Sequence, residues 1–435
     1  MSRASDHGIL DLLGIELPII QAPMAGPNDS ALAIAVSTAG GLGSLPCAML
    51  SPAQIEAEWE RMTSAAQVLL PSSNNSRTGG RGRLSYNLNF FAHRPPPPDE
   101  AREDAWRARL APYYAELGLP PPPSAAAAAG GSGGRAPFDA ALCSLVERLR
   151  PAVVSFHFGL PAPPLLARVR ATGAAVLGCA TTVDEARWLE KNGCDAVIVQ
   201  GAEAGGHRGC FLPPNGAGAA VSEATATAAT AAAAAAADTA AVFADYSAHP
   251  GLFALLPQVT DAVRIPVVAA GAIADPRGAA AAVTLGANAI QVGTAFLYCN
   301  EARPTPAHAD ALARAREDTT VVTNVMSGRP ARGLINRAMR ELGPFSTLAP
   351  AFPGASTALA PLRAAAERAA AATAATAGAS AAARARAGDF APLWAGQAAA
   401  LGRATVEGLR TPRSAAELTR VLGRAALAAA RRGAA

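Results

Sequence analysis

Residues 200–209 read QGAEAGGHRG and follow an apolar run, Ala196 to Val199. An imidazole titrates near neutrality, so His207, placed where a buried run ends, can take a proton from carbon or pair with an anion. Gly205 and Gly206 beside it let backbone approach a ligand closely. Polar residues recur at comparable places. Asn87 and Asn89 interrupt the apolar run LSYNLNFF, where they are costly unless hydrogen bonded, and His157 stands in FHFG. Gln200 closes its own run, and residues Gln291, Val292, Gly293 and Thr294 read QVGT. In QAPM, Pro23 removes a donor and leaves the backbone of Ala22 and Met24 to face a ligand.

Elements must carry these residues to one place. Strand-like runs occur at 18–24, 41–47, 84–91, 152–159, 174–181, 196–201, 266–272 and 289–296. Many are apolar almost throughout, as strands covered on both faces are. Helical segments lie between them, such as TTVDEARWLEKNG (181–193), with Thr182 or Asp184 near its start and Gly193 as its stop. The alternation predicts an α/β protein, a (β/α)8 TIM-type barrel, with a doubly wound open sheet as the alternative. In a parallel barrel the ligand-binding groups gather where the strands end, which is where the residues above fall. The expected barrel spans 9–296, with insertions at 92–140 and 212–247. The latter is an Ala/Thr tract, helical by propensity or unstructured. A smaller, mostly helical cap follows over 297–400, joined by the first insertion, and a C-terminal helical tail occupies 401–435.

Composition excludes several classes. The net charge of +4 comes from a chain with a single lysine, Lys191, and no stretch mixing arginine with aromatics, so nucleic acid is not an expected partner. Cys47, Cys143, Cys179, Cys194, Cys210 and Cys299 are scattered without CxxC or metal-type spacing to histidine, so no metal is expected. They read as reduced thiols in the cytoplasm. No long apolar segment predicts a membrane span or a secretory signal. The loops GAIADPRG, containing Gly271, and QVGTAF follow the last two strands, the usual phosphate site of this fold. A phosphate-bearing cofactor is expected. Neither GxGxxG at a strand–helix turn nor a P-loop is present, and Lys191 ends a helix away from the mouth, which excludes Schiff-base chemistry. Flavin mononucleotide (FMN) remains. Glu203 reads as a loop-orienting residue, Cys179 and Cys210 as packing, and His7, His93, His249 and His308 as surface or loop residues. SGRPARG (327–333) either grips an anion or is a basic loop.

QAPMAG, SYNLNFF, FHFG, QGAEAGGHRG, PVVAAGAI, QVGTAF, TNVMSGRPARGLINR and PLWAGQ occur in this order. Together they resemble the nitronate monooxygenases, formerly called 2-nitropropane dioxygenases, from about residue 9 to 410 outside the low-complexity tracts. The resemblance implies an FMN-binding barrel with a smaller substrate domain, converting alkyl nitronates such as propionate 3-nitronate and O2 to carbonyl compounds and nitrite. It implies His207 as the base facing the flavin. It places the backbone of Ala22, Pro23 and Met24 at the cofactor, with Asn87, Gln200, Gly205, Gly206, Gly271 and Gln291 to Thr294. His157 and Tyr113 or Tyr114 would line the substrate pocket. Two rivals stand beside this reading: an NAD(P)H-dependent flavin reductase acting on a quinone or enoyl thioester, and a flavin-binding protein without catalysis.

Overall fold

The computed structural model describes residues 7–69, 84–122, 135–212, 249–377 and 385–433. The Ala/Thr expansion expected over 212–247 lies, Leu212 apart, outside the described residues. The strands are β1 (Ile19–Gln21), β2 (Gly43–Pro46), β3 (Tyr86–Phe91), β4 (Val153–His157), β5 (Ala175–Ala180), β6 (Ala196–Gln200), β7 (Gly206–His207), β8 (Val267–Ala270), β9 (Ala289–Val292), β10 (Thr320–Thr323) and β11 (Ala331–Leu334). Eight of them run parallel in the order β1-β9-β8-β6-β5-β4-β3-β2. A bridge between Ile20 and Leu42 brings the two ends together, with Gln21 N donating to Leu42 O at 2.9 Å. Each of the eight predicted strands is present. The sheet is a barrel, and the open-sheet alternative falls.

Helices wrap the strands, and four of the crossover helices start after a residue whose side chain satisfies a free N–H group. Asp29, Asp139, Thr182 and Asp275 cap the helices Ser30–Thr38, Ala140–Leu149, Val183–Lys191 and Pro276–Thr284. Of the two candidates at 181–193, Thr182 is the cap, accepting from Glu185 N. Gly193, at φ +93°, provides the left-handed stop.

Alternation along the strands sorts the barrel interior into layers. Val153, Ala175, Ala196, Val268 and Ala289 fill the lower layers with Ile20, Leu42, Leu177, Ile198 and Ala270. The helix His7–Leu13 plugs that end with Ile9 and Leu13, both 1% exposed. Moving up by two residues reaches polar groups: Ser155 and His157 on β4, Cys179 on β5, Gln200 on β6 and Gln291 on β9. The apolar layers fix the strands, and the polar layer above them faces the mouth.

The cap draws on the first insertion and on the segment that follows β9. Trp106, Leu110, Tyr113 and Tyr114 of the helix Glu100–Glu116 pack with Met326, Met339, Leu359, Leu362 and Phe390 from after β9. This joins the segments expected to form one cap. It is mostly helical but contains the antiparallel pair β10–β11, to which β7 adds as a third strand. A barrel loop is thus stitched into the cap's sheet. The C-terminal stretch, expected as a tail, is a wall element. Its helix Ala415–Gly433 buries Leu418, Leu422 and Ala426 between the helices Pro276–Thr284 and Ser30–Thr38. It occupies the place of the eighth barrel helix. The cap is inserted ahead of it, which is why the sequence reads the helix as an appendage.

Candidate active site

One cavity of about 480 Å³ opens at the carboxyl ends of the strands, between barrel and cap. Ala22, Pro23, Met24, His157, Gln200, Gly205, Gly206, His207, Gly271, Gln291, Gly293 and Thr294 all line it. These residues come from the ends of β1, β4, β6, β8 and β9 and from β7, which the fold brings together.

Four expected residues do not line it. Asn87 sits one layer below, 1% exposed, its Nδ2 donating to Ser44 Oγ at 3.0 Å and Ser155 Oγ at 2.9 Å. Asn89, two residues further up the same strand, reaches the cavity with Ser155. Val292 has outward parity and is 1% exposed in the barrel wall. Tyr113 and Tyr114 belong to the cap core. Tyr114 donates to Ala358 O at 2.6 Å, and Tyr113 lies edge-on to Phe390 with centroids 5.5 Å apart. Their helix presents its apolar face to the cap and leaves the cavity to others.

His207 lies partly exposed on the cavity wall, held by backbone on both sides. Gly206 takes φ +74°, and β7 pairs antiparallel with β11, His207 opposite Ala331. The His207 carbonyl accepts from Gln200 Nε2 at 2.9 Å and faces His157 Nε2 at 3.2 Å. Gln200 Oε1 accepts from Gly209 N at 2.9 Å, so its amide clamps the loop from two sides. The ring's Nε2 is 2.9 Å from Ser327 Oγ. Phe352 and Trp394 flank the ring at 5.3 and 5.4 Å. Burial first, then the charge of Arg135, holds the His207 pKa well below the ordinary imidazole value. The ring is thereby held toward its neutral form. His157 is depressed to about 4, mainly by burial, and its neutral ring both borders the cavity and anchors the loop.

Beneath the loop lies a second tier of polar contacts. Glu185, 1% exposed, accepts from Thr181 N at 2.6 Å and Thr181 Oγ1 at 2.8 Å with one oxygen. Its other oxygen takes Phe211 N at 2.6 Å and Leu212 N at 3.1 Å, just beyond His207. Glu203 orients the loop as expected, both oxygens accepting from Leu252 N. Arg208 is fully buried, bonding Gln200 Oε1 at 3.2 Å and the Gly201 carbonyl, and its Nε and one terminal nitrogen have no partner. Cys179 and Cys210 have pKa values raised by burial to about 12 and about 11, so they are packing thiols.

Cations dominate the cap side. Arg135 and Arg363 line the cavity, with Glu367 the carboxylate among its lining residues. Arg329, from SGRPARG, stacks over Phe158 at 4.3 Å and donates to Cys210 O at 3.2 Å. His93 and His308, expected at the surface or in loops, are buried at 4% and 5% exposure. His308 faces Trp394 O at 3.1 Å and braces the tryptophan beside His207. Arg135, Ser155, Glu185, Ser327 and Trp394 are the functional candidates that local sequence missed. Ser327, Trp394 and Arg135 come to His207 from chain segments far from it in sequence.

Comparison with known proteins now adds to this geometry. A sequence profile described as "Nitronate monooxygenase" matches residues 7–71 and 86–391. A nitronate monooxygenase of Pseudomonas aeruginosa is 39% identical over 393 residues, 90% of this chain and 93% of that protein. One of Paraburkholderia phytofirmans is 35% identical, covering 92% of each. The crystal structure of a nitroalkane oxidase from Streptomyces ansochromogenes superposes with TM-score 0.69 at 33% identity, covering 98% of this chain and 100% of that one.

Proposed function

The chain belongs to the nitronate monooxygenase family of oxidoreductases, and from that premise we propose that it oxidises alkyl nitronates with O2 to a carbonyl compound and nitrite, using non-covalent FMN. The observation that carries the reading is a neutral, cation-flanked imidazole, His207, on the wall of a cavity built at the strand ends. The residues present fit a flavin. Gln291 Oε1 is buried beside the cavity without a partner, an acceptor suited to a ring N–H. Glycine backbone at 205, 206, 271 and 293 leaves room for a flat ring and a phosphate. The backbone of Ala22 to Met24, the side chains of Asn89 and Gln291, and the loops at Gly271 and Gly293–Thr294 would hold it. Bound there, the flavin supplies the two-electron acceptor and the route to oxygen.

The chain's own residues bind and move the proton. On a neutral nitroalkane, His207 accepts the proton from the carbon bearing the nitro group, leaving a nitronate and an imidazolium. With a nitronate, that step is already done, and the site's work is to bind the anion. Arg135 and Arg363 line the cavity and favour negative charge there, while burial first, then the charges of Arg135 and Arg329 among others, hold His207 toward its neutral form. Two arginines on the cap side also suit a substrate with a carboxylate tail, such as propionate 3-nitronate. Phe91, Trp394 and Leu393 keep the rest of the wall apolar.

Oxygen uptake and nitrite release with propionate 3-nitronate test the reading, with stoichiometric nitrite expected. Steady NAD(P)H oxidation without nitronate, and no nitrite with it, would replace it with the reductase alternative.

A further inference from the structure

We propose that Ser327 is a positioning residue that sets the tautomer of His207, so that Nδ1 is the atom that takes the substrate proton. The inference rests on His207 as the base and adds which nitrogen acts and what makes it act. Ser327 is fully buried in the turn between β10 and β11, and its Oγ lies 2.9 Å from His207 Nε2 and 3.3 Å from Arg329 O. A serine hydroxyl has one proton to give and lone pairs to accept with. Donating to the Arg329 carbonyl, it can only accept from the imidazole, which places the ring proton on Nε2. The other tautomer spends that hydroxyl proton on Nε2 and leaves the carbonyl without it. The first arrangement thus makes one more hydrogen bond, a preference of roughly fivefold between tautomers. In that arrangement Nδ1 carries the free lone pair, and no protein group among the described residues bonds it.

The serine is held firmly enough to impose this. Its turn closes with Gly328 N donating to Asn324 O at 2.7 Å, and Gly328 stands at φ +91° against the backbone of Pro350 to Phe352. Asn324 fixes the turn from outside, its side chain donating to Ser346 O and accepting from Ser346 N, both at 2.9 Å. His207 is fixed from the barrel side by Gln200 and from the cap side by β11. The backbones that carry both partners of the 2.9 Å contact are therefore fixed. The base comes from the barrel and its orienting group from the cap.

The test is a long-range 1H–15N correlation spectrum of histidine-labelled holoenzyme at mildly alkaline pH, with His207 assigned by its absence from His207→Asn. This readout is independent of turnover, so it decides the tautomer even if the enzyme proves to act on something other than nitronates. The expected wild-type spectrum shows His207 protonated on Nε2 with Nδ1 bare. Ser327→Ala should give both tautomers, and Ser327→Thr, which restores the hydroxyl, should return the wild-type pattern. Turnover of neutral nitroalkane by Ser327→Ala should fall about twofold in kcat, as the competent tautomer drops from roughly five sixths of the rings to roughly half, at unchanged flavin content and with KM for nitronate little altered. A wild-type ring protonated on Nδ1 overturns the proposal. So does a Ser327→Ala ring that keeps the wild-type tautomer, whatever its activity.

Discussion

Glu185→Gln tests whether the loop carrying the base is held from below. The substitution keeps size and shape and changes one oxygen to NH2. In the wild type both oxygens face donors only: the amide and hydroxyl of Thr181 on one, the amides of Phe211 and Leu212 on the other. Burial pushes the carboxyl pKa up, and the donors oppose that shift. A glutamine loses least by turning its NH2 toward Thr181, whose hydroxyl can rotate and accept. The Thr181 N–H is then orphaned, and the bonds from Phe211 and Leu212 lose their charge assistance. An orphaned buried donor costs about 1–3 kcal/mol and charge-assisted bonds are about twice as strong as neutral ones, so the total is about 3 kcal/mol. For a chain longer than 250 residues that corresponds to a fall in Tm of roughly 5 °C. Circular dichroism melting of the flavin-loaded protein measures it, and nitrite assays measure the site. Because the freed segment begins four residues after His207, at Phe211, turnover should fall more than flavin content does. A variant with wild-type Tm and wild-type turnover would refute the reasoning, showing that the four contacts are incidental to the loop's position.

Further outcomes follow from the same geometry. His207→Asn should lower oxidation of neutral nitroalkanes by about a hundredfold to ten-thousandfold, the usual range for a general base, while nitronate oxidation persists; equal losses on both would make the histidine an anion binder. The lowered His207 pKa keeps the base form present as pH falls, so the acid limb of kcat/KM for neutral nitroalkanes should lie below the ordinary imidazole value of about 6.5. A limb at or above that value contradicts it. Arg135→Gln removes a cation from the cavity, so it should raise that limb and raise KM for propionate 3-nitronate more than for an uncharged alkyl nitronate; equal KM changes would take the arginine out of tail recognition. Acid or heat should release yellow FMN into the supernatant, and recovery of FAD, or of colour in the precipitate, would contradict the cofactor assignment. A side chain at Gly271 is a poor probe of the phosphate loop, because φ +123° strains any replacement there.

The barrel was legible because its signal is local. Eight short apolar runs, many of them carrying or followed by a polar or glycine residue, stand in the order the sheet uses. The cavity-lining positions followed from one rule, that ligands meet the carboxyl ends of strands, and His157, Gln200, His207 and Gln291 obey it. The rule has a depth limit. Asn87 and Asn89 share a face, and only the distance up the strand, 6.6 Å at about 3.3 Å per residue, decides which one reaches the cavity. Tyr113 and Tyr114 were misplaced because aromatic residues on an insertion helix carry no mark of which neighbour they will meet, and here a cap core claims both. Ser327 and Arg135 lie 120 residues after and 72 residues before His207 in the chain, so no local spacing could pair them with it. The wall helix at 415–433 was hidden by the cap inserted before it.

That wall helix has a consequence for how the protein is made. Synthesis delivers β1 to β9 and then the whole cap before the residues that complete the barrel's outer layer. Until Ala415–Gly433 leaves the ribosome, the seam between the helices at 30–38 and 276–284 shows bare apolar surface. Leu418 and Leu422, both fully buried at the end, would each contribute about 1.5–3 kcal/mol on covering it. Gly423 is part of the fit, since a side chain there would press on Leu17 at about 2.9 Å. The nascent chain therefore carries a nearly finished active site in a vessel still open along one stave. Premature termination by some twenty codons would spare every residue that lines the cavity and still leave that seam uncovered, a sticky intermediate in place of a shortened protein.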